Sequence, residues 1–318
     1  MSYELRPLSL GELLDRAFTL YRRHFWLFVG IMALPSVAML FLSLGGQILP
    51  ALADDAPDQQ PSPEIVFAVA AVVVVGAAIA FLLYWITYAL ALGATTVAVS
   101  EIYSGRTPSV ASAYGATRTR IGRLVLLLFL IGMRLFLVFG GITIAAIVVG
   151  GGAAIVSPIL SMLIVTVALI AGFVLVSWMF LRYSVAVPAA VLEDNTATES
   201  IERSIYLTKG SLIRVVVLFV FTVVVTYAAL AVFQFPFVIA SLAAGPETST
   251  GFWLNMVGLV TGSIASALTG PLAVVAMAVL YYDIRIRKEG LDVELLIEGL
   301  RARVPPSHEP SSSAVLPG

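Results

Sequence analysis

The chain has 318 residues, of which 60% are hydrophobic and 12% charged, with a net charge of −1 and a mean hydropathy of +1.01. A soluble globular chain carries about 25% charged residues, so hydropathy overrules the two soluble domains that length alone would allow. Cysteine is absent, which excludes a disulfide framework, a thiolate nucleophile and a cysteine metal site.

The first predicted element is an amphipathic helix over 9–22, SLGELLDRAFTLYR. Ser9 and Glu12 have the spacing of a capping box, in which hydroxyl and carboxylate satisfy free N–H groups at the helix start. Glu12 also stands four residues before Arg16, the favourable order for a helical ion pair. Leu10, Leu13, Leu14, Ala17 and Phe18 recur at helical spacing on one face. The charges Glu4, Arg6, Glu12, Asp15, Arg16, Arg22 and Arg23, with no short apolar core ahead of a small-residue cleavage site, lead to the expectation that no removable signal peptide is present.

A bilayer core about 30 Å thick needs about 20 apolar residues in a helix. Six stretches qualify: 25–49, 64–100, 123–149, 159–188, 212–244 and 253–282. The second is long enough to tilt or to continue beyond the lipid. Pro271 is expected to kink the last. The connections 50–63, 150–158 and 245–252 contain no Lys or Arg, and every Lys and Arg except Arg134 falls in or beside the remaining segments. The positive-inside rule then places both termini in the cytoplasm. Residues 1–303 read as one six-span domain, and 304–318, rich in Pro and Ser, as a disordered cytoplasmic tail.

The opening helix returns at 196–209, TATESIERSIYLTK, with Glu199 for Glu12, Arg203 for Arg16 and Leu207 for Leu20. Its apolar face is continued by Ile201, Ile205 and Tyr206. A weaker version at 108–121 lacks the capping box. The expected architecture is all-α, with six transmembrane helices in three parallel two-span units, each entered by a cytoplasmic amphipathic helix. Such helices suit the headgroup layer, with Phe25 and Trp26 in the aromatic belt. The alternative is that they pack on the ends of the spans, and both hold if different faces are used. Arg22, Arg23, Arg123, Lys209, Arg214, Arg285, Arg287 and Lys288 are the candidate lipid-headgroup contacts.

Three segments carry a family resemblance: PLSLGELLDRAFTLYRRHF, AAVLEDNTATESIERSIYLTKG and YYDIRIRKEGLD. Through them the chain, over about residues 5 to 297, resembles the membrane domain of glycerophosphoryl diester phosphodiesterase, which also occurs as free-standing bacterial membrane proteins. The resemblance implies a polytopic helical domain in the bacterial inner membrane. In the fused enzymes catalysis belongs to a separate soluble barrel, and nothing here matches it.

Only two histidines occur, His24 and His308. No H-E-x-x-H, G-x-S-x-G, Walker or dinucleotide motif is present. The chain is expected to be non-catalytic, with no cofactor and no metal. Gly258, Gly262, Ser266 and Gly270 recur every four residues, a small-residue face that lets helix backbones approach, within the chain or between copies. Arg134 lies eleven residues past Arg123, about 16 Å along a helix. A central Arg costs about 2.5–3.5 kcal/mol on insertion scales, so Arg134 is a candidate intramembrane polar site, with Gln234 as its candidate partner; the alternative is a structural role, snorkelling or capping carbonyls near Gly140–Gly141. The hints of a polar path through the spans are Thr95, Thr96, Thr222, Thr226 and Ser263. The favoured reading is a scaffold or accessory protein at the cytoplasmic membrane surface; the alternative is a transporter or channel for a small or lipid-derived solute. Expected partners are membrane lipids and other membrane or cytoplasmic proteins, and not nucleic acid.

Overall fold

The computed structural model describes residues 6–54, 63–245 and 248–290. All of its elements are helices: α1 (Leu10–Arg23), α2 (Phe25–Asp54), α3 (Pro63–Tyr103), α4 (Val110–Arg118), α5 (Ile121–Ala154), α6 (Pro158–Arg182), α7 (Ala186–Leu192), α8 (Ala197–Thr208), α9 (Leu212–Phe233), α10 (Phe235–Ala244) and α11 (Ser249–Glu289). Six segments are long and apolar enough to cross a membrane, namely α2, α3, α5, α6 with α7, α9 and α11. In hydrocarbon each backbone N–H and C=O must be satisfied within its own segment, which a helix achieves. The chain is a multi-pass helical membrane protein. The tail 304–318 lies outside the described residues.

Two boundaries depart from the sequence expectation. The fifth span breaks at Gln234 into α9 and α10, with Pro236 in the first turn of α10; proline has no N–H to continue the helical ladder. The last span runs on to Glu289 and stops at Gly290, whose φ of 65° is the left-handed conformation common just past a helix end. A correction applies to the segment before the third span. It does carry a capping box, made by Ser109 and Ser112 in place of a hydroxyl and a carboxylate.

Short helices precede the first, third and fifth spans, but the hairpins they lead into differ. The α5–α6 hairpin runs on into α7, whereas the α9 hairpin is broken by α10. The helix α11 is the hub, packing on α1, α2, α3, α9 and α10. Over half of its most apolar stretch (56%) is enclosed by the fold, against 22% or less for every other span. It is also the least hydrophobic of the six, at a mean hydropathy of 2.0. A helix covered by protein need not match lipid, and small residues then allow close packing. The C-terminal half of α3 forms the other side of this core, with Ala91, Ala94, Ala98 and Val99 fully buried. At Gly93 a Cβ would come within 2.5 Å of Thr117 Cγ2 and 2.6 Å of Leu124 Cδ1, so a larger residue would have to displace these side chains of α4 and α5 from α3.

The short helices pack on protein. Leu13, Ala17, Leu20 and Tyr21 of α1 are buried in the main core, and Leu14 packs against it. Phe18 and Trp26 remain exposed at 43% and 80%, so one face of the α1–α2 junction is not covered by the described residues. In α8, Ile201 and Leu207 are fully buried, while Tyr206 is exposed.

Two of these helices also donate to span carbonyls at or next to those that proline has freed. Pro35 in α2 leaves the carbonyl of Ile31, four residues earlier, without its helical donor. The Tyr114 hydroxyl of α4 donates to that carbonyl at 2.5 Å. Pro271 likewise frees the carbonyl of Ala267, and the Tyr21 hydroxyl of α1 donates to the adjacent carbonyl of Leu268. At the end of α6, Ser204 of α8 donates to the Arg182 carbonyl at 2.7 Å. Tyr114→Phe should therefore lower stability by about 1 kcal/mol, the usual net value of a hydrogen bond. In a Pro35→Ala background the carbonyl regains a helical donor, and the same change should cost little. Thermal unfolding in detergent of the two single variants and the double variant checks this coupling; equal costs of Tyr114→Phe in both backgrounds would refute it.

Candidate functional site

Ionisable groups concentrate at one end of the bundle, where α1, the α7–α8 turn, the start of α9 and the last turns of α11 meet. The centre is Asp283, whose side chain has no solvent exposure. Its carboxylate accepts from the Leu8 N–H at 2.8 Å, from Arg214 Nη1 at 3.0 Å and from Arg287 Nε at 3.2 Å. The Leu8 carbonyl in turn accepts from Arg214 Nη1 at 2.9 Å and from Arg287 Nη2. Both backbone groups of one residue are thus held, and the chain is clamped just before Ser9 caps α1. That cap forms as its spacing predicts, with Glu12 accepting from the Ser9 N–H at 2.7 Å. This backbone bond and Arg6 hold the Glu12 carboxyl down to about 2.

A second cluster lies beside the first. Glu193, at the end of α7, accepts from the Tyr281 hydroxyl at 2.6 Å and from Arg203 Nε at 2.7 Å. Arg203 also pairs with Glu289 at 2.5 Å, and Arg285 with Glu289 at 2.9 Å. Burial works to raise the Glu193 carboxyl, but the hydrogen bonds from Arg203 and Tyr281 and the nearby guanidinium charges outweigh it and hold it below its ordinary value. Asp194 comes next, in a left-handed conformation (φ 54°). It pairs with Arg120 at 2.9 Å and Arg123 at 3.2 Å, which tie the start of α5 to this turn. The hydrogen bond from Arg120 is the main cause of its lowered carboxyl. Lys288 closes the assembly by donating to the carbonyls of Tyr206 and Lys209 at 2.8 and 2.6 Å, at the C-terminal end of α8, where a helix favours positive charge.

A general acid or base works best with a pKa near the operating pH. Glu12, Glu193, Asp194 and Glu199 are each held below their ordinary values, and Asp283 accepts from Leu8, Arg214 and Arg287. These carboxylates tie α1, α5, α8, α9 and α11 to one another. Among the described residues no three His, Asp or Glu side chains are grouped to hold a metal ion.

The residues singled out from sequence fall into different settings. Of the candidate headgroup contacts, Arg123, Arg214, Arg285, Arg287 and Lys288 are engaged in bonds within the protein. Arg22, Arg23 and Lys209 are exposed, and among the described residues their side chains make no ion pair or hydrogen bond. Arg134 is half-buried on α5, which packs on α3, α6, α7 and α8. Gln234 sits at the α9–α10 break against Gly262, where an added Cβ would lie 2.8 Å from Gln234 Cδ. The two candidates Arg134 and Gln234 are not bonded to each other. Gly258 faces Phe237 of α10, and Gly270 faces Met32 of α2, so these glycines meet helices of the same chain. Gly262, Ser266, Gly270 and Gln234 all line a cavity of about 390 Å³ inside the bundle. Thr95 and Thr96 lie in the packed core with no exposure.

Sequence reasoning passes over Asp283, Glu193 and Glu289 as network centres. A signal exists in DIRIRKE, where Asp283–Arg287 and Arg285–Glu289 are pairs four residues apart. Leu8 acts through its backbone and leaves no signal.

The fold and the charged cluster define a class: a polytopic helical membrane protein whose spans are fastened at one end by a folded helical cap. The chain belongs to the family described as Domain of unknown function (DUF7847), whose profile matches residues 8–284. That match begins at Leu8 and ends one residue past Asp283, so it spans both sides of the clamp. No curated protein and no solved structure matches the chain.

Asp283→Leu should destabilise the protein by about 3–5 kcal/mol, because it leaves partly buried guanidiniums unpaired. Limited proteolysis should then cut ahead of α1, and a proteolytic pattern like that of the parent would count against the clamp. The pH dependence has a definite sign. The depressed carboxylates contribute stability that is complete above the unfolded value of about 4.5 and is lost as pH falls through the lower folded values. Melting temperature in neutral detergent should be flat near neutrality and fall on the acid side, less steeply in Glu193→Gln.

Proposed function

We propose that the chain is a non-catalytic integral membrane protein, a scaffold or accessory protein that works at the cytoplasmic face of a bacterial inner membrane. The observation that carries this reading is the commitment of the clustered carboxylates to holding α1, α8 and α11 together. A cap built this way is a rigid platform. Its outward side carries Arg22, Arg23, Arg106, Arg118 and Lys209, all exposed, beside the exposed acids Asp15 and Glu202. An excess of exposed cations at one end fits a cytoplasmic placement and contact with anionic lipid, at about 1 kcal/mol per basic group near such a surface. Three parallel two-span units, each entered by α1, α4 or α8, are part of the same reading. So is the resemblance to the membrane domain of glycerophosphoryl diester phosphodiesterase, which rests on sequence alone.

A second reading, transport of a small or lipid-derived solute, is favoured by the intramembrane cavity on Gln234. Flux through the protein would involve Arg134 and that cavity, whereas a platform needs neither.

Cysteines placed at Ser104 and Thr198 should react with a membrane-impermeant thiol reagent only after spheroplasts are permeabilised. Cysteines at Val156 and Thr250 should react in intact ones, and the reverse pattern would place the platform outside. In nanodiscs of mixed composition, replacing Arg22, Arg23 and Lys209 with Gln should lower the anionic phospholipid retained, as read by mass spectrometry of the purified protein. Photo-crosslinking residues at Asp15, Arg106 and Glu202 should give discrete protein adducts in cells, and one at the lipid-facing Val257 should give none. Solute flux in proteoliposomes that Arg134→Gln abolishes, with no adduct at the cap, would favour transport.

A further inference from the structure

The cavity of about 390 Å³ lies between α2, α3, the α9–α10 break and α11. Ser36, Ser43, Tyr84, Gln234 and Ser266 bring polar groups to its wall. None of these side chains has a hydrogen-bond partner among the described residues. A second cavity of about 350 Å³ lies between α3, α5, α6, α7, α9 and α11. Its wall is mainly apolar, with Leu128, Ile131, Phe180, Phe219 and Met277, and it contains one buried hydroxyl, Ser184 Oγ, that has no partner. Tyr88 is on the wall of both. Neither wall carries an Asp, Glu, Lys, Arg or His.

Each volume falls within the range of about 300–1,000 Å³ typical of small-molecule sites. Polar groups inside hydrocarbon are costly when unpaired, and several of them converge on one space. Because no charged residue lines that space, a phosphate or carboxylate head would be desolvated there without a counter-charge to offset it. Amide and hydroxyl groups match a neutral head that both donates and accepts. The cavity also reaches the outside of the bundle, since Met39 on its wall is 43% exposed, which gives entry from the lipid. The apolar cavity on the other side of Tyr88 is suited to a hydrocarbon chain.

We propose that the two cavities form one site for an uncharged single-chain amphiphile with a hydroxyl-bearing head, the head on Gln234, Ser36 and Ser266 and the chain lying past Tyr88. The site goes beyond the platform reading and requires neither a partner at the charged end nor net transport.

The test uses a monoacylglycerol carrying a diazirine at the end of its acyl chain, added to the full chain in nanodiscs. Photolysis should label peptides of α5, α6 or α9 that line the second cavity. Unlabelled monoacylglycerol should compete, and the lysophosphatidylglycerol and fatty acid of the same chain length should compete at least tenfold more weakly. Gln234→Leu should weaken labelling about tenfold, and Ala273→Phe, which fills the apolar cavity, should abolish it. If either variant melts early, the milder pair Ser36→Ala with Ser266→Ala should still weaken labelling severalfold at an unchanged melting temperature. Ile239→Ala, on the lipid-facing side of α10, should leave labelling unchanged. Equal competition by the charged-headed lipids would overturn the proposal. So would label confined to exposed positions such as Phe136 and Ile147, or labelling that the cavity variants leave unchanged. Binding is read here without flux, so loss of the site would leave the platform reading standing, and failure of cap crosslinking would leave the site standing.

Discussion

A carboxylate that leaves water must be given back the charge and hydrogen bonds it loses, and at Asp283 that requirement organises the molecule. Its side chain has no exposure, and the desolvation cost of a buried ion is several kcal/mol unless it is paired and hydrogen-bonded. Two guanidiniums and the Leu8 N–H supply the compensation. Arg287 belongs to the same helix, but Arg214 and Leu8 come from the fifth span and from the beginning of the chain. The end of α11 is therefore satisfied only when the chain before α1 and the start of α9 are already in place. The Leu8 contact closes a loop of 275 residues, so the clamp is formed by the complete tertiary structure and not by any local segment.

The same logic of satisfying polar groups runs through the rest of the bundle. Prolines in α2 and α11 open carbonyls inside the spans, and tyrosines of α4 and α1 reach in to meet them or a neighbouring one. The C-terminal carbonyls of α6 and α8 are met by Ser204 and Lys288. The short helices are therefore more than amphipathic covers, since they exchange hydrogen bonds with a span or a span end. This accounts for their burial in protein, where a purely lipid-facing role would have left Leu13 and Ile201 in hydrocarbon.

Two regions of different character result. At the charged end, the clustered carboxylates are neutralised within the protein while exposed arginines and a lysine remain on the outer side. Inside the spans the position is reversed. The described cavity walls carry no charged side chain, and their Ser36, Ser266 and Gln234 side chains have no hydrogen-bond partner among the described residues.

Much of the architecture is legible in the chain. Six apolar runs, the asymmetry of Lys and Arg, and the Ser9–Glu12 and Thr196–Glu199 caps are local or additive properties, and each requires only residues near one another in sequence. The break at Gln234 has its cause in Pro236 alone, yet the run reads as one continuous span because it is apolar throughout. The small residues of the last span are recognisable, but whether they meet another copy or the same chain depends on which surface α10 and α2 present. The arginines and the lysine at the charged end read as lipid contacts, since a sequence shows their charge and not their partners. Asp283 and Glu289 decide that assignment, because carboxylates brought within about 3 Å of Arg214, Arg285 and Arg287 engage those groups as internal fastenings. Composition and periodicity by themselves determined a six-span helical membrane protein with capped amphipathic helices. Only the tertiary structure decided what those helices fasten and where Gln234 points, because electrostatic pairing and cavity formation depend on distances between residues that the chain order keeps far apart.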